Sequence, residues 1–242
     1  MTSPRSAAAA AAPPPAPAGA QQALLSALVR RFNHDLRTPL NTLSGWSELL
    51  REGASDAGRV RHAAQVMSRS VREQTLLLED YVDDMRTVLG ELTLHAAFLS
   101  LSEVHEAVGV RLAPLAALYG VAIETAEAPV AWRIHGELRH TVRLLYRLGL
   151  LAVRCAAPDA VLRQQVEADE DCLRFSIVAP TGGASATAGG GEVAALEQQL
   201  VLVGATAAGG GFALQRGAAT TEMQLSLPRA PDLRSAARGP PQ

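Results

Sequence analysis

His34 is followed directly by an acid, Asp35, and then within five residues by Arg37, Thr38 and Pro39. An imidazole beside a carboxylate is a candidate nucleophile or general base, because the acidic neighbour favours the reactive tautomer. Such chemistry needs the ring in solvent, and the flanking residues say where the ring lies. Leu25, Val29, Phe32, Leu36, Pro39, Leu43, Trp46 and Leu50 step by alternate fours and threes, the apolar seam of a helical bundle. In that heptad frame His34 falls at f and Thr38 at c, both facing water, while Asp35 at g flanks the seam. His34 and Thr38, four apart, are neighbours on one exposed face. A surface histidine without chemistry would share that phase. A core histidine would not.

The run His34-Asp35-Leu36-Arg37-Thr38-Pro39-Leu40 matches, residue for residue, the H-box of bacterial two-component histidine kinases. The chain therefore resembles that family in its dimerisation and phosphoacceptor domain. The resemblance implies that His34 accepts a phosphoryl group by in-line attack and that Asp35 orients the imidazole or takes its proton. It implies that Thr38 positions a water for dephosphorylation of a partner. Arg37 is a candidate for steadying phosphate charge or a receiver's acidic face, or is simply a solvated helix residue. Pro39 removes one backbone hydrogen bond and bends the helix; the family has a proline at this place, and a tolerated kink is the plainer reading.

These residues need a long helix to carry them. The pattern predicts one over 21–53, ended by the turn residues of REGASDAG, with Ser55 or Asp56 capping a second helix over 57–89. The second helix repeats the stepping at Val60, Ala64, Met67, Val71, Gln74, Leu78, Tyr81, Met85 and Val88. Its one polar seam position, Gln74, lies about as far beyond the turn as His34 lies before it. That marks either a polar layer near the histidine or a single tolerated polar residue. Two such helices form a hairpin with a bare apolar stripe. A second copy is the economical cover, giving a dimeric four-helix bundle.

The organisation expected is a disordered Ala/Pro-rich segment at 1–19, the phosphoacceptor hairpin at 20–90, a second domain at 91–228 and a polar tail at 229–242. In the second domain, strands are predicted at 98–101, 121–124, 131–134, 161–168, 172–178, 212–215 and 222–227, and helices at 103–118, 137–154 and 193–202. This mixture predicts an α+β sandwich. The order resembles the Bergerat, or GHKL, ATP-binding domain that follows the H-box domain in histidine kinases.

The nucleotide residues that this resemblance calls for are missing. Where the family has N-L-x-x-N-A, the chain has Arg147-Leu148-Gly149-Leu150-Leu151-Ala152, and Leu151 has no oxygen for magnesium, a hard cation. Where D-x-G-x-G should follow a strand, it has Ala179-Pro180-Thr181-Gly182-Gly183, and Ala179 cannot accept a hydrogen bond from adenine. The G-x-G-L-G-L lid is replaced by Gly189-Gly190-Gly191-Glu192. The glycines of 181–191 and 209–211 lack the lysine of a phosphate loop and read as flexible loop.

Length and composition bound the rest. The chain has 242 residues, room for a small helical domain and a larger one, with 48% hydrophobic and 19% charged residues. A net charge of −2 gives no electrostatic case for nucleic acid or an anionic membrane surface. Cys155 and Cys172 show neither metal spacing nor a disulfide framework. No apolar run is long enough to span a bilayer and no signal-peptide pattern is present, so the expectation is a cytoplasmic protein. Three functions follow. The first is a histidine phosphotransferase without nucleotide or other cofactor, working on response-regulator receiver domains that bring magnesium, with a histidine kinase as a further partner. The second is an ATP-dependent kinase with a diverged site. The third is a non-catalytic dimeric scaffold.

Overall fold

The computed structural model describes residues 18–53, 56–181 and 191–230. Residues 1–17 of the segment expected to be disordered at 1–19, residues 231–242 of the tail expected to be disordered at 229–242, the candidate cap Ser55 and most of the glycine-rich loop, 182–190, lie outside the described residues.

The chain opens with two long antiparallel helices, α1 (Ala18–Arg51) and α2 (Ala57–Leu89). The start of α2 follows from Asp56, whose carboxylate accepts the Gly58 N–H at 2.9 Å and satisfies an otherwise orphan donor. It ends because Gly90 turns left-handed, φ 73°, letting Glu91 N–H reach the Arg86 carbonyl and Gly90 N–H the Thr87 carbonyl. Along the seam Phe32 stacks on Tyr81 with ring centroids 4.0 Å apart, and Trp46 meets the edge of His62 at 5.3 Å. The seam is incompletely covered. Val60, Val71 and Leu78 remain 43–51% exposed, and the buried amide nitrogen of Gln74 has no partner among the described residues.

The second domain runs β1 (Ala97–Ser100), α3 (Leu101–Leu118), β2 (Ala122–Thr125), β3 (Arg133–Gly136), α4 (Leu138–Cys155), β4 (Val161–Ala168), β5 (Cys172–Pro180), α5 (Glu192–Ala207), β6 (Gly211–Arg216) and β7 (Thr220–Pro228). Five strands form a mixed sheet in the order β2-β4-β5-β7-β6, with β2 parallel to β4 and the other pairs antiparallel. The strands β1 and β3 form a small antiparallel pair, tied by a bridge from Ile134 to Arg229, which follows β7. Arg229 and Ala230, expected in a disordered tail, pack on the fold instead, and Ala230 is buried.

The two central strands explain the layering. Burial alternates strictly along β5 and β7, so Leu173, Phe175, Ile177 and Ala179 share one face with Met223, Leu225 and Leu227. Leu144, Leu148 and Leu151 of α4 join these residues in one hydrophobic cluster. Gly149 lets α4 approach α3 closely: a Cβ there would stand 2.4 Å from a methyl of Leu112. The result is the expected α+β sandwich behind a helical hairpin. The thiols of Cys155 and Cys172 are free. Among the described residues, no helix is long and apolar enough to cross a membrane.

Candidate functional site

The His34 side chain is 85% exposed on α1, as the heptad frame requires. Its Nδ1 lies 3.2 Å from Asp35 Oδ1. A carboxylate can only accept, so Nδ1 carries the hydrogen and the Nε2 lone pair is the free one. Arg37 and Thr38 are exposed on the following turn. The Thr38 carbonyl accepts from the Thr42 hydroxyl at 3.2 Å. Pro39 is buried in the hairpin and offers no N–H to the Asp35 carbonyl. The structure therefore joins His34 to Asp35 and leaves Arg37 and Thr38 beside them on the same open surface.

Asp35 has a second partner that the sequence reading missed. Arg31 donates from Nε to Asp35 Oδ2 at 3.2 Å and from Nη1 to Glu197 Oε1. Glu197 is fully buried in α5, and its other oxygen accepts from Arg147 of α4 at 2.8 Å. Arg147 also binds Asp84 of α2. Arg143 reaches Asp83 at 3.1 Å, and Arg139 reaches Asp83 and Glu79, each at 3.2 Å. Arg139, Arg143 and Arg147 are four apart, so one stripe of α4 faces the acidic stripe of α2. The half-buried i,i+4 pair Arg31–Asp35 is still open to water, and a helix pair of that spacing is alone worth only about 0.3–0.5 kcal/mol, too little to fix a carboxylate rotamer. The buried members are another matter: removing one partner from such a cluster costs about 3–5 kcal/mol.

Comparison with known families decides what the hairpin is. Residues 24–87 match the model of the His Kinase A (phospho-acceptor) domain. The hairpin is thus similar along nearly its whole length to a His Kinase A phospho-acceptor domain. Among solved structures the chain is similar to the Acinetobacter baumannii histidine kinase AdeS, with TM-score 0.54 and 16% identity over 81% of this chain and 97% of that one. It is similar to full-length ShkA in complex with AMPPNP, with TM-score 0.54 and 19% identity over 84% of this chain and 45% of that one. A third similar structure is histidine kinase ThkA in complex with response regulator protein TrrA, with TM-score 0.50 and 12% identity over 89% of this chain and 65% of that one. At these identities the likeness is one of fold: a phospho-acceptor hairpin followed by an ATPase-like domain. Comparison with curated protein sequences gives no match.

Of the two α4 positions where the resemblance places nucleotide contacts, one is turned to the hairpin and the other to the core. Arg147 stands at the first asparagine position of the motif and is committed to Asp84 and Glu197. Leu151, at the second, is fully buried in the hydrophobic core. Ala179 is also fully buried, inside β5 opposite Thr221. Neither side chain offers an oxygen to magnesium or adenine, and these residues do not fit a magnesium nucleotide. A cleft of about 470 Å³ remains between the hairpin and the second domain, bordered by Phe32, Asp35, Tyr81, Arg111 and Tyr146. The Arg111 guanidinium lies over the Tyr146 ring, 4.7 Å from its centroid, and binds Asp80 at 3.1 Å.

Burial pushes the Asp84 carboxyl up while Arg147 and Arg143 pull it down. For Arg147, burial opposes the charge, but Asp84 and Glu197 outweigh it and keep the guanidinium protonated. His140, buried on α4, donates from Nε2 to the Gly204 carbonyl at 3.0 Å and accepts from Arg143 at Nδ1, which requires a neutral ring. Burial holds its pKa below the ordinary value, partly opposed by the Gly204 bond, and burial lowers His105 in the same way. The unfolded chain, with histidines near about 6.5, then binds more protons than the folded one as pH falls below that value. Stability is present above about pH 6.5 and is lost as pH drops toward the depressed folded values. Melting temperature is accordingly expected to be lower at about pH 5.5 than at 7.5, and His140→Gln should remove part of that slope in a thermal unfolding series.

Proposed function

We propose that the protein carries phosphoryl groups between receiver-domain aspartates of response regulators through His34, as a phosphotransfer intermediate with no nucleotide of its own. The observation that supports this most is the exposed ring with Nδ1 held by Asp35 and Nε2 open to solvent. In the transfer, the Nε2 lone pair forms a bond to the phosphorus of an aspartyl phosphate. The P–O bond to the aspartate breaks, and its electron pair stays on the leaving carboxylate. Positive charge that builds on the imidazole is met by the Asp35 carboxylate at Nδ1–H. Phosphoryl transfer rests on positioning and electrostatics, and the receiver brings the magnesium. Thr38, one turn along, would place a water for dephosphorylation, and Arg37 would meet phosphate or an acidic receiver surface. A homodimer fits this reading, because a second hairpin would cover the exposed Val60, Val71 and Leu78.

An ATP-dependent histidine kinase with a diverged site is the second reading, and the comparisons lend it more support than the first. The matched domain family and two of the three similar structures are histidine kinases by name. The chemistry of Leu151, Ala179 and the committed Arg147 supports the transfer reading instead. One pair of incubations separates them. With a phosphorylated receiver domain, the transfer reading expects an acid-labile, base-stable phosphate on the protein. With γ-labelled ATP and magnesium it expects none, and label on His34 from ATP would establish the kinase.

A further inference from the structure

We infer that Arg31 is a positioning residue for His34, through which the second domain sets the tautomer of the phosphoacceptor ring; this rests on His34 being the acceptor. Four groups stand in series: Glu197 of α5, Arg31, Asp35 and His34. Glu197 is a rigid anchor, because it is fully buried and its two oxygens are taken separately by Arg31 and Arg147. The guanidinium of Arg31 is a planar fork, so fixing Nη1 on Glu197 also fixes where Nε meets Asp35 Oδ2. With Oδ2 held, Oδ1 is presented to His34 Nδ1 and the open lone pair falls on Nε2. Without the anchor, Asp35 is a partly exposed carboxylate on a helix surface with nothing to select its rotamer.

The two charged links differ in span. Arg31 and Asp35 are four residues apart on one helix, whereas Arg31 and Glu197 are 166 apart and belong to different domains. Anything that shifts α5 against α1 therefore reaches the ring through three successive contacts. That gives the retained second domain a task that needs no ATP.

The test is ¹⁵N NMR of the neutral imidazole of His34 in the full chain, with phosphate uptake from phosphoramidate measured beside it. The wild type should show mainly the Nδ1–H tautomer. Arg31→Gln and Glu197→Gln should each move the population toward Nε2–H and slow uptake about tenfold, with thermal unfolding confirming that each is folded. An unchanged tautomer in folded Arg31→Gln overturns the inference. A shift in Arg31→Gln but none in Glu197→Gln overturns the link to the second domain. Failure of the wild type to take phosphate on His34 defeats the underlying reading, a result distinguishable because the tautomer is read without phosphate.

Discussion

His34→Gln is expected to fold as the wild type does and to take up no phosphate from a phosphorylated receiver. Glutamine is polar and close in size, but its amide nitrogen has no available lone pair to attack phosphorus. The ring is 85% exposed, so the substitution should change stability by no more than about 0.5 kcal/mol. Phosphate retention measured on gels, beside a denaturant unfolding curve, checks both halves. Unchanged signalling output in this variant would favour the scaffold reading over either phosphoryl chemistry.

The largest structural effect is expected at Arg147. Its side chain is 8% exposed and joins Asp84 to Glu197, so Arg147→Ala leaves two buried carboxylates without their shared cation. The cost should be about 3 kcal/mol, the low end for breaking a buried ion pair, since Arg143 and Arg31 remain within reach of the orphaned acids. At about 2–4 °C per kcal/mol for a chain of this size, the melting temperature falls by roughly 6–12 °C. Replacing all three members by apolar residues of similar volume, Asp84→Leu, Arg147→Met and Glu197→Leu, should recover much of that loss, because the charges bring their own desolvation cost. Calorimetric unfolding of the single and triple variants tests this directly. A single variant within 0.5 kcal/mol of wild type would show that water already screens the cluster.

Local signals and long-range pairs were unequally legible in the sequence. The bounds of α2 could be read at both ends, because Asp56 caps one and Gly90 alone can take the left-handed turn at the other. Ala18, Gly19 and Ala20 are already helical ahead of the predicted start at 21, in a stretch of alanine and glycine with no apolar stripe to mark it. Leu101, predicted as the end of a strand, opens α3 instead. Strand β3 lies two residues later than predicted, since Trp132 N–H closes a turn on the Pro129 carbonyl and delays the extended segment to Arg133. Four-residue strands carry too little alternation to fix their own register. At the site, the outward phase of His34 followed from helix geometry, and its pairing with Asp35 was an expectation carried by the resemblance. The Arg31–Glu197–Arg147 cluster did not, because its members are 50 to 166 residues apart and no local pattern joins them. A hint was present: past Glu192 at its first position, α5 carries one carboxylate, Glu197, and such a group on a buried face needs a cation.

The arginine stripe on α4 is graded in depth. Arg139 is 47% exposed and its partner Glu79 equally so, while Arg143 and Arg147 are nearly closed off from water. Mobile ions screen the open pair and scarcely touch the covered ones. Raising ionic strength should thus fray the contact from the Arg139 end, leaving the two halves of the molecule pivoting on the Arg147 end like a hinge with one pin drawn.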